Sequence, residues 1–292
     1  MAGAFSPGSI GLIGAGLMGT AFAERLLAAG FHVIMWDRDA SRMAPLSALG
    51  AETAANAVVV GARCARTILS LPNSDVVATV LAAMAETWRE GGIIIDTSTG
   101  QPADAVRFHH SLAERGVTYL DATISGHSEQ LRRGEALCMV GGDPEAFARC
   151  ADLWAAFGDH AMHVGPSGDG ARLKLVTNLV LGLNRAALAE GLVLAEAMGL
   201  DPARALEVLR ASAAYSRVMD AKGEKMIGGD FTPVARLSQH LKDVRLILEA
   251  AADADLPLPL SETHRQLLER AAAAGWGDLD NSAIIKVMRK SS

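Results

Sequence analysis

Only three cysteines occur in the 292 residues, Cys64, Cys138 and Cys150, and their odd number and lack of pattern argue against a disulfide framework. A reducing cytoplasm is the expected compartment. A basic excess is also missing. The 27 Lys and Arg stand against 33 Asp and Glu, and the net charge of −6 lacks the electrostatic footprint of a nucleic-acid binder. The longest apolar stretches are interrupted well before the ~18–20 residues a membrane span needs, so no membrane partner is expected. The opening MAGAFSPGS holds no basic segment followed by an apolar core, and no secretory leader is expected. His109 and His110 are adjacent rather than spaced like the HExxH of zinc hydrolases, so no metal site is expected. No serine-centred nucleophile elbow is present. With half its residues apolar and 21% charged, the chain reads as soluble and globular, long enough for one large or two ordinary domains.

The stretch Ser9 to Asp39 is the most informative. An apolar run, Ile10 to Ile13, feeds into Gly14-Ala15-Gly16-Leu17-Met18-Gly19; a helical pattern follows, then a β-rich run, Phe31 to Trp36, closing on Asp37. Strand, glycine turn, helix, strand and acid in this order predict a dinucleotide site. One glycine makes the tight turn, one lets backbone approach a pyrophosphate, and one lets the helix pack on the strand. The helix start offers N–H groups and a positive dipole end to the phosphates. Asp37 would accept hydrogen bonds from the adenosine ribose, whereas Arg38 beside it could pair with a 2′-phosphate, so the cofactor reads as NAD or NADP.

Up to about residue 165, short β-like runs (67–71, 93–96, 117–120, 137–140) alternate with Ala-rich helical segments, and Pro102 and Pro144 stand where helices begin. This alternation predicts an α/β fold: a Rossmann-type, doubly wound, mostly parallel sheet covered on both faces. After the turn Gly165 to Gly170 the texture changes. Residues 171–198 suit one long helix, apolar on most of its faces and expected as a buried spine between domains or subunits. Asp201-Pro202 starts another helix, and breaks fall at Gly228-Gly229, Pro257 to Pro259 and Gly275 to Gly277. The expected division is a dinucleotide-binding domain over 1–167 and an all-helical substrate and dimerisation domain over 168–292.

Three polar clusters could face the cofactor cleft at the strand ends. Leu71-Pro72-Asn73-Ser74 follows one strand and Asp96-Thr97-Ser98-Thr99 another; cleft lining and ordinary turn-making or capping are both open for them. Asp121 to His127 leaves a third strand into a small-residue turn, where a serine hydroxyl and backbone N–H groups could hold a carboxylate or simply end the strand. Lys174 is the sharpest residue. It lies early in an apolar helix directly after a glycine turn, with Asn178 one turn on along the same face. Burial there would lower its pKa and allow proton exchange with a hydroxyl or carbonyl oxygen.

At these residues the chain resembles the β-hydroxyacid dehydrogenases, over nearly its whole length from Ile10 to about Met288. The opening pattern stands as Gly11-Leu12-Ile13-Gly14-Ala15-Gly16-Leu17-Met18-Gly19. The substrate-loop pattern stands as Asp121-Ala122-Thr123-Ile124-Ser125-Gly126, followed by Gly134 and Met139-Val140-Gly141-Gly142. The catalytic pattern is met by Gly168, Gly170, Lys174 and Asn178, and the late pattern by Phe231 and Lys242-Asp243. The resemblance implies that Lys174 is the general acid/base and that Asn178 helps hold the substrate oxygen. It further implies that Ser125 and Gly126 bind the substrate carboxylate and that Phe231 approaches the substrate. Leu71, Pro72, Asn73 and Thr99 would line the nicotinamide side, with Lys242 reaching toward the cofactor. His127 stands where family members commonly have a second glycine; a side chain there would shrink or re-charge the carboxylate pocket, with Arg132 and Arg133 near in sequence. Thr177 takes the first place of a frequent Asn-Asn pair.

The expected activity is therefore reversible hydride transfer between NAD or NADP and a small 3-hydroxy acid or its semialdehyde. Rival readings are an imine reductase of the same two-domain build and a non-catalytic nucleotide-binding protein; both are expected to lack the lysine that stands at 174. So apolar a long helix needs covering, and a homodimer or homotetramer is expected.

Overall fold

The computed structural model describes residues 8–289; residues 1–7, most of the segment read above for a leader, lie outside the described residues. The chain divides into two compact units, up to Lys174 and from Leu175.

The first unit is built on an eight-stranded sheet: β1 Ser9–Ile13, β2 His32–Trp36, β3 Glu52–Thr53, β4 Arg66–Leu69, β5 Ile93–Asp96, β6 Thr118–Ser125, β7 Leu137–Gly141 and β8 Ala161–Gly165. Their order is β3-β2-β1-β4-β5-β6-β7-β8. Each interior strand buries both faces, because the side-chain period of two sends neighbours to opposite sides. Ile10, Leu12, Val33, Met35 and Ile95 join one core with Phe22, Leu26 and Trp154; Ile13, Ile34, Leu69 and Ile94 join the other with Val60, Val77, Phe108 and Leu112. All pairings are parallel except β6 with β7. The link between those two holds only the short helix Ser128–Arg132, too little chain for a parallel crossover.

Two edge strands have no counterpart in the sequence pattern. β3 is two residues long, and β8 leaves Met162 exposed, so neither shows the apolar run that marks the interior strands. The strand order reverses between β1 and β4, and a ligand crevice is expected outside their carboxyl ends.

The long helix Asp169–Ala197 begins in the first unit and continues into the second. There the helices Pro202–Ala211, Arg217–Gly228, Leu237–Asp253 and Pro259–Ala271 bury Leu188, Leu192, Leu206, Met226, Leu237, Val244, Leu268 and Ile284. Asp201 caps its helix by accepting from Ala203 N–H, and Gly229 ends another at φ +73°. By length and composition Asp169–Ala197 would qualify as a membrane span, with mean hydropathy 1.3. It nevertheless carries Lys174, Asn178 and Arg185 as buried polar residues. Within a single chain Val176, Val180 and Leu194 on this helix are exposed.

Candidate functional site

At the end of β1 the glycine turn has the geometry that its residue types require. Gly14 adopts φ +99°, and a Cβ there would lie 2.2 Å from the Ser70 carbonyl oxygen. A Cβ on Gly19 would lie 1.9 Å from the Gly14 oxygen, whereas Gly16 faces open space with nothing within 4 Å. Ala15, Leu17 and Met18 complete the turn, with Leu17 exposed. Helix Leu17–Ala28 starts after Gly16 with no side-chain cap and no acid in its first turn. Close packing behind, free backbone in front and uncapped N–H groups fit a dinucleotide pyrophosphate.

Asp37 is buried and braces this turn. Its Oδ2 accepts from Ala15 N–H at 2.7 Å and its Oδ1 from Asp39 N–H at 2.8 Å. Arg38 next to it is exposed.

Across the switch point, the turns after β4 and β5 are laced together. Leu71 N–H donates to Ser98 Oγ (3.0 Å), Thr97 donates through N–H and hydroxyl to Leu69 O (both 2.8 Å), and Gln101 N–H donates to Ser74 Oγ (3.1 Å). Asn73 caps helix Ser74–Ala83 through Val76 N–H, Pro72 is exposed and Thr99 half-buried. Beneath them Asp96 accepts from Ser98 N–H (2.9 Å) and from the Tyr119 hydroxyl (2.8 Å).

Burial pushes Asp96 up to about 6, even though Ser98 and Tyr119 pull the other way. The folded value lies above the ordinary 3.8, so the stabilising contribution is complete below pH 4 and is lost as pH rises through 6. At pH 8 the ionised carboxylate costs about 3 kcal/mol. Asp96→Asn is therefore expected to gain stability over the wild type in urea unfolding at pH 8 and to match it near pH 4. A variant equally destabilised at both pH values would contradict this.

At the end of β6, Ser125 and His127 are half-buried and Gly126, at φ +144°, is exposed. His127 N–H donates to Gln130 Oε1 at 3.1 Å. Arg132 pairs with Glu24 and Glu129, and Arg133 with Glu135, so the charge of both arginines is already matched by carboxylates.

Asp121, named in the sequence only as the head of its motif, holds the long helix. Its Oδ1 accepts from Gly168 N–H and its Oδ2 from Ala171 N–H, each at 2.9 Å, while Thr123 Oγ1 donates to Gly170 O at 2.7 Å. Gly168 sits at φ +94°, and a Cβ on Gly170 would lie 2.3 Å from the Asp121 carbonyl oxygen. The two glycines thus let the helix start seat directly on the sheet. Burial raises the Asp121 pKa, and the two N–H donors oppose the rise. Lys174 follows in the first turns of this helix, 9% exposed. Asp121 follows the apolar pair Tyr119-Leu120 and Asp96 the run Ile93 to Ile95, and a carboxylate joined directly to such a run was the available signal for both.

In the second unit, buried Asn178 donates through Nδ2 to Asp243 Oδ2 at 3.0 Å. Lys242 Nζ lies 3.7 Å from Asp243 Oδ1; burial lowers its pKa and Asp243 opposes the shift. The late pair and Asn178 are therefore brought together. Phe231 packs against the helical core, with the Lys286 ammonium 5.7 Å from its ring centroid. One turn beyond Asn178, a Cβ on Gly182 would press on His240 and His264; burial, reinforced by Arg185, pushes His264 down to about 4. Among the described residues no group of three or more His, Cys, Asp or Glu gathers as a metal site.

The doubly wound sheet and its glycine turn place the chain among dinucleotide-binding proteins. The family described as the NAD binding domain of 6-phosphogluconate dehydrogenase matches residues 9–165. The one described as the NAD-binding of NADP-dependent 3-hydroxyisobutyrate dehydrogenase matches residues 168–288. The 2-(hydroxymethyl)glutarate dehydrogenase of Eubacterium barkeri is 36% identical over 95% of this chain and 94% of that protein. The 2-hydroxy-3-oxopropionate reductase of Escherichia coli K12 is 32% identical over 96% of each. The crystal structure of 3-hydroxyisobutyrate dehydrogenase from Salmonella typhimurium aligns at TM-score 0.88 and 28% identity, covering 96% and 99% of the two chains. The chain belongs to the β-hydroxyacid dehydrogenase family. An imine reductase from Pseudomonas sp. is more distant, at TM-score 0.66 and 22% identity over 97% and 100% of the chains, a likeness of fold alone.

Proposed function

We propose that this protein interconverts a small 3-hydroxy acid and its semialdehyde or keto form, with Lys174 as general acid/base. The observation that carries the reading is the buried Lys174 itself, early in a helix whose start is pinned by Asp121. Bound NAD or NADP supplies or accepts the hydride at the substrate carbon. The Lys174 ammonium gives its proton to the carbonyl oxygen in reduction and takes it from the hydroxyl in oxidation. The Asn178 amide holds the same oxygen, its orientation set by the bond to Asp243.

The Ser125 hydroxyl and the backbone at Gly126 hold the substrate carboxylate, and His127 sets the size and charge of that pocket. Phe231 completes the substrate side. Gly14 to Gly19 cradle the pyrophosphate, Asp37 and Arg38 meet the adenosine ribose, and Leu71, Pro72, Asn73, Thr99 and Lys242 serve the remainder of the cofactor. The names of the Eubacterium and Salmonella relatives both describe acids with a hydroxyl three carbons along, which supports this substrate class. Lys174 argues against the imine reductase and non-catalytic readings.

A panel of 3-hydroxy acids, semialdehydes and cyclic imines, run with both cofactors and read by reduced-nicotinamide absorbance, tests the proposal. Turnover of a 3-hydroxy acid or its semialdehyde is expected; turnover of imines alone overturns it. The exposed Val176, Val180 and Leu194 on the long helix support a homodimer or homotetramer. Light scattering that finds a monomer at working concentration would contradict the assembly. The three cysteines are buried free thiols, with Cys64 and Cys138 pushed up to about 12 and Cys150 to about 11 by burial, which suits a cytoplasmic enzyme.

A further inference from the structure

The buried carboxylate of Asp96 has no part in the chemistry proposed above, yet it sits under the crest of the sheet at the centre of a hydrogen-bonded lattice. Asp96 and Tyr119 lie on the neighbouring strands β5 and β6; their side chains are almost wholly buried, and the Tyr119 hydroxyl fixes one carboxylate oxygen at 2.8 Å. Ser98 donates to Asp96 from its backbone N–H at 2.9 Å, and its hydroxyl oxygen faces the turn that follows β4. That hydroxyl oxygen in turn accepts the Leu71 N–H at 3.0 Å. A chain of four groups therefore runs from the β6 strand through Asp96 and Ser98 to the turn that follows β4.

The place of that turn gives the lattice its meaning. In a doubly wound sheet the dinucleotide lies across the carboxyl ends of the strands, with its pyrophosphate on the glycine turn after β1. The ribose that meets Asp37 lies at the end of β2, on one side of β1. The opposite half of the cofactor must then run over the ends of β4 and β5, on the other side of β1. Those ends are the turns that Ser98 ties together.

We propose that Asp96 is a positioning residue for the nicotinamide half of the dinucleotide, acting through Ser98 to hold the Leu71 turn. A loop at the end of a strand is ordinarily mobile. A buried carboxylate held by Tyr119 and fixing the Ser98 N–H removes that freedom before the cofactor arrives, so less ordering cost falls on binding. The same carboxylate is ionised against its burial at neutral pH, so stability is sacrificed to keep the turn in place. The adenosine half rests on Gly14 to Gly19 and Asp37, to which no bond of this lattice runs.

This inference rests on the dinucleotide reading but needs no substrate, so it is tested by binding alone. Asp96→Asn and Ser98→Ala are titrated by calorimetry with NADH and NADPH, and separately with ADP as a probe of the adenosine and pyrophosphate side. Both variants are expected to bind the better of the two dinucleotides roughly tenfold more weakly, the loss of one charge-assisted hydrogen bond. Affinity for ADP is expected to stay within about twofold of wild type. Asp96→Asn should do this while gaining stability at pH 8, an outcome that a merely structural role does not produce. Equal weakening toward ADP and dinucleotide, or no weakening toward either, overturns the proposal. Should Ser98→Ala fail to fold, Asp96→Asn decides the question by itself. Intact binding without hydroxy-acid turnover would count against the proposed activity and leave the role of Asp96 standing.

Discussion

Lys174→Ala is expected to lower kcat by roughly 10²–10⁴-fold, the usual worth of a positioned proton donor. Cofactor affinity should be nearly unchanged. The glycine turn that would cradle the pyrophosphate is braced by Asp37, and the Leu71 turn is held by Ser98. Lys174→Arg gives the sharper test, because a guanidinium keeps the positive charge but does not release its proton at any working pH. If Lys174 served only to attract a carboxylate, arginine would restore much of the activity; if it moves a proton, arginine is as slow as alanine. Steady-state kinetics on the best substrate of the panel, with cofactor binding measured by calorimetry, reads both quantities. Near-wild-type turnover of the alanine variant sinks the assignment.

Asp121→Ala is the second large effect. The carboxylate satisfies the buried N–H groups of Gly168 and Ala171, and alanine leaves both donors without an acceptor. Unpaired buried donors cost about 1–3 kcal/mol each, so a loss of roughly 2–6 kcal/mol is expected for the two. That corresponds to a fall in melting temperature of roughly 5–15 °C for a protein of this size. A helix start loosened on its sheet also misplaces Lys174 a few residues later, and kcat should fall by at least about tenfold. Asp121→Asn keeps one acceptor oxygen and should lie between alanine and wild type in both measures. A melting temperature within about 1 °C of wild type in the alanine variant would show that the helix start is held by other means.

The cofactor half of the site was legible because it is local. The turn Gly14 to Gly19 lies within a few residues, and its strand, helix and closing Asp37 follow in one stretch, so residue type alone predicts the backbone. The interior strands were legible for the same reason: burial on both faces demands a continuous apolar run, as in Ile10 to Ile13. β3 and β8 were not, since an edge strand needs only a neighbour to pair with and leaves no mark in the pattern. β7 was legible as a strand, and only its antiparallel pairing with β6 escaped, because strand direction depends on how much chain the connection offers. Asp37 shows a subtler gap. Its place at the end of β2 announced a ribose ligand, and only the fold shows that both of its oxygens already grip the backbone of Ala15 and Asp39.

The sequence by itself determined the class of cofactor, the order of the strands and helices it strings together, and the identity of Lys174 as the residue worth testing. These follow from short-range patterns of glycine, apolar period and capping. Only the tertiary structure decided that Asp121 would cap the helix bearing Lys174, that Asp243 would orient Asn178, and that Asp96 would underpin the Leu71 turn. Each of these pairs residues far apart in sequence through a buried carboxylate. Such partners are chosen by which strands and helices come to lie side by side and by the need of every buried charge for donors, and neither condition is written in the local order of residues.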